Sequence, residues 1–140
     1  MAPKVKITTL SGGTERPMND NKGVARSLVG SEDGARAVDV HVNTIKKGVP
    51  PAPYHYHEHA ENVYIILEGT AEAIVDGVKY RLNPRDVVFI PPGVPHAAGS
   101  TDEGPVTLIE IYAPAGADYH VVEPPAVVRD AEDGQSALEG

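Results

Sequence analysis

The 140-residue chain contains no cysteine. Disulfides and thiolate metal sites are therefore excluded. No apolar run approaches the roughly 18 to 20 residues of a membrane span, and the first thirty residues lack the apolar stretch of a signal peptide. A cytoplasmic address with no membrane partner is the expectation. Clustered cations are missing too: 12 Lys and Arg stand against 20 Asp and Glu, for a net charge of −8, and Lys46-Lys47 is the one adjacent basic pair. Because a phosphate backbone is bound through clustered Lys and Arg, no nucleic-acid partner is expected. No stretch of about 10 to 12 residues carries a convincing helical period. The nearest, Ala131 to Leu138, is short and acidic.

What the sequence does have is punctuation. Its 14 glycines and 13 prolines are spread along the chain, and short β-rich runs lie between them. Val5 to Leu10 reads as a first strand, and residues 11 to 23 as a loop. Val38 to Ile45 alternates, with Val38, Val40 and Val42 on one side and Asp39, His41 and Asn43 on the other, which is the period of a half-buried strand. The polar side of that run reads as a solvated sheet face. Further runs are Tyr54 to His57, Val63 to Leu67, Ala71 to Val75, Val78 to Leu82, Asp86 to Ile90 and Val106 to Tyr112. Asp76-Gly77 between two of them predicts a tight hairpin, since both central residues need positive φ. Phe89 reads as core. Glu110, between Ile109 and Ile111, reads either as a cavity-facing acid or base or as facing solvent, with solvent favoured. Strands this short and closely spaced predict an all-β sandwich or barrel, and a small closed barrel leaves a cavity between its sheets.

Three organisational parts are expected: an N-terminal strand and loops over residues 1–36, a barrel core over 37–116, and a solvated, mobile acidic tail over 117–140. From Asp118 onward there are six acids and one base. His120, close to that tail, has no assigned role.

The chemistry is concentrated in histidine. His55, His57 and His59 fall within five residues, and His96 follows the rigid turn Pro91-Pro92-Gly93-Val94-Pro95. Two residues apart on a strand, His55 and His57 point to one face with backbones about 6.5 to 7 Å apart. Imidazole nitrogens bind a divalent metal at roughly 2.0 to 2.1 Å, so two such rings can share an ion, and His96 can join from a neighbouring strand. The same stretch can also be a polar surface loop holding no metal. Tyr54, Tyr56 and Tyr64 surround the histidines, either as a pocket wall or as ordinary strand composition.

These residues carry a resemblance. Gly48, His55-Tyr56-His57, Glu61-Asn62 and Gly69, followed by Pro91-Pro92-Gly93 and His96, stand in the order and separation of the two motifs of the cupin family. Over residues 37 to 113 the chain looks like a small single-domain cupin. The resemblance implies a jelly-roll barrel (a double-stranded β-helix), commonly a homodimer, with a divalent transition metal inside: Fe, Mn, Ni, Zn or Cu. It implies His55, His57 and His96 as ligands.

Arg85 and Ser100 replace the glycine that opens and the asparagine that closes the second motif. In the first motif, counting back from Gly69 puts Asn62 where the family carries its ligand glutamate, with Glu61 one residue earlier. Alternation lets only one of them face the cavity from a strand. The register to Gly69 favours Asn62, while Glu61 could reach a metal from the loop before the strand. His59 is an outside candidate. An amide in place of a carboxylate leaves a divalent ion with net charge +2 instead of +1, a stronger Lewis acid.

Three functions follow as expectations. The first is a non-haem metal enzyme acting on a small oxygen-rich organic substrate bound at the metal (oxygenase, isomerase, decarboxylase or lyase), with Tyr64 as proton donor or substrate contact. The second is a non-catalytic metal or small-ligand binder or sensor. The third is a barrel that keeps the motif for stability. A homodimer is expected, with residues 4 to 10 as a strand that crosses to the partner.

Overall fold

The computed structural model describes residues 3–131. Twelve β-strands form two six-stranded sheets facing one another: β1 (Thr14–Pro17), β2 (Gly23–Val29), β3 (Asp39–Ile45), β4 (His55–Tyr56), β5 (Glu61–Glu68), β6 (Ala71–Val75), β7 (Val78–Leu82), β8 (Val87–Ile90), β9 (His96–Gly99), β10 (Val106–Ala113), β11 (His120–Val121) and β12 (Arg129–Asp130). The first sheet runs β1-β2-β3-β10-β5-β8 and the second β11-β4-β9-β6-β7-β12. Pairing is antiparallel except where β12 lies parallel to β7. Strand order departs from chain order in both sheets, the mark of a jelly roll. Among the described residues no helix is long and apolar enough to cross a membrane.

Local turn chemistry sets the frame. Asp76 and Gly77 have φ of 50° and 79°, so β6 and β7 close through the expected tight turn. Arg85, where the family motif carries glycine, has a φ of 80°. Its N–H donates to the Ile66 carbonyl at 2.8 Å, so backbone bonding holds a side chain in a conformation that glycine adopts more readily. Ser100 is buried: its Oγ accepts from Val49 N–H at 2.9 Å and donates to the Lys46 carbonyl, pinning the loop that leads into β4.

The core lies between the sheets. Ile45, Ile66, Ala73, Ile90, Val106 and Leu108 are buried there. Along β5 the inward positions are Asn62, Tyr64 and Ile66, with Glu61, Val63, Ile65 and Leu67 on the other face.

Several expectations are corrected. Val5 to Leu10 is not a strand. It has no pairing partner among the described residues, and Val5 and Ile7 are 90% and 91% exposed. The first strand is instead Thr14–Pro17, inside the stretch that reads as a loop, because Met18 to Lys22 turns the chain back and pairs it with Gly23–Val29. Phe89 is not core. Val88 and Ile90 take the inward positions of β8, which leaves Phe89 56% exposed on an edge strand. Residues Asp118 to Val121 return along β4 as a strap, with β11 pairing β4. The candidate helix over Ala131 to Leu138 lies, past Ala131, outside the described residues.

Candidate metal centre and cavity

β4 carries His55 and leads directly into His57, and β9 carries His96. His55 and His96 are cross-strand partners, so their rings face one another with centroids 4.4 Å apart. His57, just past the end of β4, is 5.0 Å from the His55 ring and 5.1 Å from the His96 ring. One nitrogen from each of the three lies within 4.8 Å of the others. Nitrogens sharing one ion at about 2.0 to 2.1 Å can be no more than about 4.2 Å apart, so the cluster is close to a ligating arrangement.

Each ring is oriented the same way. Nδ1 of His55 lies 2.8 Å from the Pro53 carbonyl, Nδ1 of His57 2.6 Å from the Asp118 carbonyl, and Nδ1 of His96 2.9 Å from the Val94 carbonyl. A carbonyl only accepts, so each Nδ1 carries the proton and each Nε2 presents a lone pair. Nε2 of His57 and of His96 are buried without a hydrogen-bond partner among the described residues. Burial also pushes the His55 and His96 imidazoles down to about 4, so both are neutral near pH 7 and able to ligate.

Asn62 and Glu61 separate cleanly. Glu61 is exposed on the outer side of β5 and does not join the histidines. Asn62 is fully buried on the inner side, in register with Tyr112, whose ring lies 4.9 Å from that of His57. The Asn62 amide donates through Nδ2 to the Ile111 carbonyl at 3.0 Å, which leaves Oδ1 buried without a partner. Two imidazole lone pairs and one amide oxygen, all buried and unpaired, are the donor set a cation satisfies. His59 is exposed beside Glu58 and takes no part.

The histidines open onto two adjoining cavities. One of about 940 Å³ reaches His57 from the side of β1, β2 and β3. The other, about 160 Å³, reaches His55 and Tyr64. Asn43, Glu110, Tyr112 and Tyr119 line both. Two expectations are thereby overturned. The side of β3 carrying His41 and Asn43 faces this cavity, not bulk water, and Asn43 is 8% exposed. Glu110 is likewise buried, 9% exposed, and accepts from Asn43 Nδ2 at 2.9 Å. Burial raises the Glu110 carboxyl. Burial and the nearby Glu110 hold the Tyr64 and Tyr112 hydroxyls well above their usual range.

The strap supplies residues that sequence reasoning missed. Tyr119 stacks on His55 with centroids 4.3 Å apart. The Asp118 carboxylate accepts from Glu58 N–H at 2.6 Å and His59 N–H at 3.1 Å, bonds that lower its pKa to about 2. His120 bonds that carboxylate at 2.8 Å and stacks on Tyr56. Glu58, Asp118 and His120 form a second potential ligand group, more exposed than the first. The signal for the strap in the sequence is faint: one aromatic, Tyr119, between Asp118 and His120. Of the other tyrosines, Tyr54 is buried and its hydroxyl accepts from Gly77 N–H at 3.1 Å.

Comparison with known proteins agrees with this fold. The family model described as "Cupin domain" matches residues 41–112. Dimethylsulfoniopropionate lyase DddQ of Ruegeria pomeroyi is 43% identical over 58 residues, which are 40% of this chain and 29% of the lyase. The chain thus spans less than a third of that relative's length. The polyketide cyclase RemF from Streptomyces resistomycificus superposes with a TM-score of 0.73 at 20% identity, over 88% of this chain and 89% of the cyclase. A double-stranded β-helix protein from Klebsiella pneumoniae superposes with a TM-score of 0.69 at 20% identity, over 84% and 92% of the two chains. At such identities the likeness concerns the fold.

Proposed function

The chain belongs to the cupin family, and on that premise we propose that it is a metal-dependent enzyme acting on an oxygen-bearing organic molecule held in the barrel cavity. His55, His57 and His96 would hold a divalent transition metal, with Asn62 Oδ1 as the fourth ligand. The observation that carries this reading is the set of buried acceptors without a hydrogen-bond partner among the described residues, Nε2 of His57, Nε2 of His96 and Oδ1 of Asn62. An imidazole-rich set suits Zn, Cu, Fe or Ni. With three neutral imidazoles and a neutral amide, the ion keeps its full charge and, when bound, polarises a carbonyl or stabilises an enolate or hydroxide.

The chain's own residues do the remainder. The carbonyls of Pro53, Val94 and Asp118 fix the imidazole tautomers. Tyr64, buried on the inner face of β5 with its ring 6.1 Å from that of His96, is a protonated hydroxyl at neutral pH, suited to donate to a substrate oxygen. The experiment is elemental analysis of protein expressed in metal-supplemented medium, followed by turnover assays on catechols, β-diketones and keto acids. Close to one transition metal per chain with turnover supports an enzyme. One metal without turnover favours a binding module, and a folded protein with no metal favours a purely structural motif.

The assembly belongs to the same reading. The outer side of the first sheet carries Phe89 and Val87 on β8, Val63 and Ile65 on β5, and Ile109 and Ile111 on β10 as cross-strand partners. An antiparallel sheet with this much apolar surface on its outer side supports a homodimer formed through that side.

A further inference from the structure

Asn43 is nine-tenths buried on the inner side of β3, yet its amide is only half used. Nδ2 donates to Glu110 Oε1 at 2.9 Å, while Oδ1 is buried without a partner among the described residues. The pairing is built by the sheet. Asn43 faces Leu108 across the β3–β10 ladder, so Glu110 is its diagonal neighbour on the same side. That bond uses the donor end of the amide and leaves its oxygen free. Packing gives no reason for an amide here, since Ile45, the next inward residue on β3, and Leu108 are both core. A buried acceptor without a partner works against folding, so its presence beside two cavities points to a group that arrives from outside.

We infer that Asn43 Oδ1 is a second recognition point in the cavity, set apart from the histidines, and that it receives a hydroxyl of the substrate. This rests on the metal-enzyme reading and narrows its substrate class to hydroxylated organic acids or ketones. One oxygen goes to the histidine centre, and a hydroxyl elsewhere on the molecule donates to Asn43. Glu110 is not within the 4.8 Å ligand cluster, and its part is to position Asn43. A hydroxyl fits better than an ammonium because the same wall offers donors as well. His41 faces Glu110 across the ladder, and its ring meets that of Tyr112 edge-on at 5.9 Å. A hydroxyl donates to the amide and keeps lone pairs for such donors, whereas an ammonium only donates.

The test compares binding of benzoate, 3- and 4-hydroxybenzoate and the corresponding methoxybenzoates by calorimetry, with and without a chelator. At least one hydroxybenzoate should bind wild-type protein about tenfold or more tighter than its methyl ether, because the ether leaves Asn43 unpaired. Asn43→Leu should bring that ratio to near one with metal content unchanged, Glu110→Leu should reduce it severalfold, and Glu110→Gln should largely retain it. Chelation should weaken all the benzoates together and preserve the ratio, so the ratio reports the subsite and the chelator effect reports the metal. Full metal content with no hydroxyl preference in wild type, or a preference that survives in folded Asn43→Leu, overturns the subsite alone. The wild-type comparison stands even if the variants do not fold.

Discussion

The Asp118 carbonyl lies 2.6 Å from Nδ1 of His57, sixty-one residues away in the chain. The same residue's carboxylate accepts the N–H groups of Glu58 and His59. A strap from beyond the last long strand thus fixes both the ring of a candidate ligand and the backbone that follows it. Replacing Asp118 with alanine removes the carboxylate bonds and frees the carbonyl to drift. Metal affinity should fall by about ten- to a hundredfold, the usual cost of losing an outer hydrogen bond to a ligand. Asp118→Asn, which keeps one acceptor oxygen, should lose less. Competition titration against a chromophoric chelator measures both.

His57→Ala and His96→Ala each remove one of three imidazoles. Metal content should drop from near one per chain to a small fraction, while the far-ultraviolet circular dichroism of a β protein persists. Each cavity costs stability, about 1 to 3 kcal/mol by denaturant titration.

Asn62 and Glu61 give opposite expectations. Asn62→Asp adds a charge to the donor set and should tighten divalent binding by about tenfold or more. Glu61 is exposed on the outer side of β5, so Glu61→Gln should leave binding within about twofold. Loss of metal in Glu61→Gln would place the ligand on the other register.

The register at 61 and 62 was legible because Gly69, with a φ of 78°, anchors the end of β5. The hairpin at Asp76-Gly77, the strands over residues 63–67 and 106–112 and the histidine cluster were equally legible, since turn chemistry and apolar runs are local. The cavity wall was not. A polar residue on an alternating strand looks the same whether it meets bulk water or an enclosed cavity, so Asn43 and Glu110 read as solvated. Phe89 erred the other way, as an edge strand exposes one side of its alternation. The strap was hidden because its value lies in a backbone carbonyl, which no side-chain pattern reveals.

The metal-free protein should lose stability in acid. The folded His55 and His96 imidazoles sit at about 4, below the ordinary value of 6.5. Between those values the unfolded chain takes up protons that the folded one refuses. Stability from these groups is therefore full above pH 6.5, falls as the pH drops and is gone below about 4. The melting midpoint of chelator-treated protein should drop by about 5 °C or more across that window. In His55→Gln the decline should be shallower.

Phe89→Lys places a charge on the outer side of the first sheet. Light scattering should show the wild type as a dimer at micromolar concentration and this variant as a monomer with an unchanged circular dichroism spectrum. Wild type running as a monomer would remove the homodimer from the account.

The most direct measurement is an anomalous-difference map from crystals of metal-loaded protein. One strong peak is expected, bonded to Nε2 of His55, His57 and His96 and to Oδ1 of Asn62. A peak instead at Glu58, Asp118 and His120, or none among the three imidazoles in fully loaded material, would contradict the proposed site.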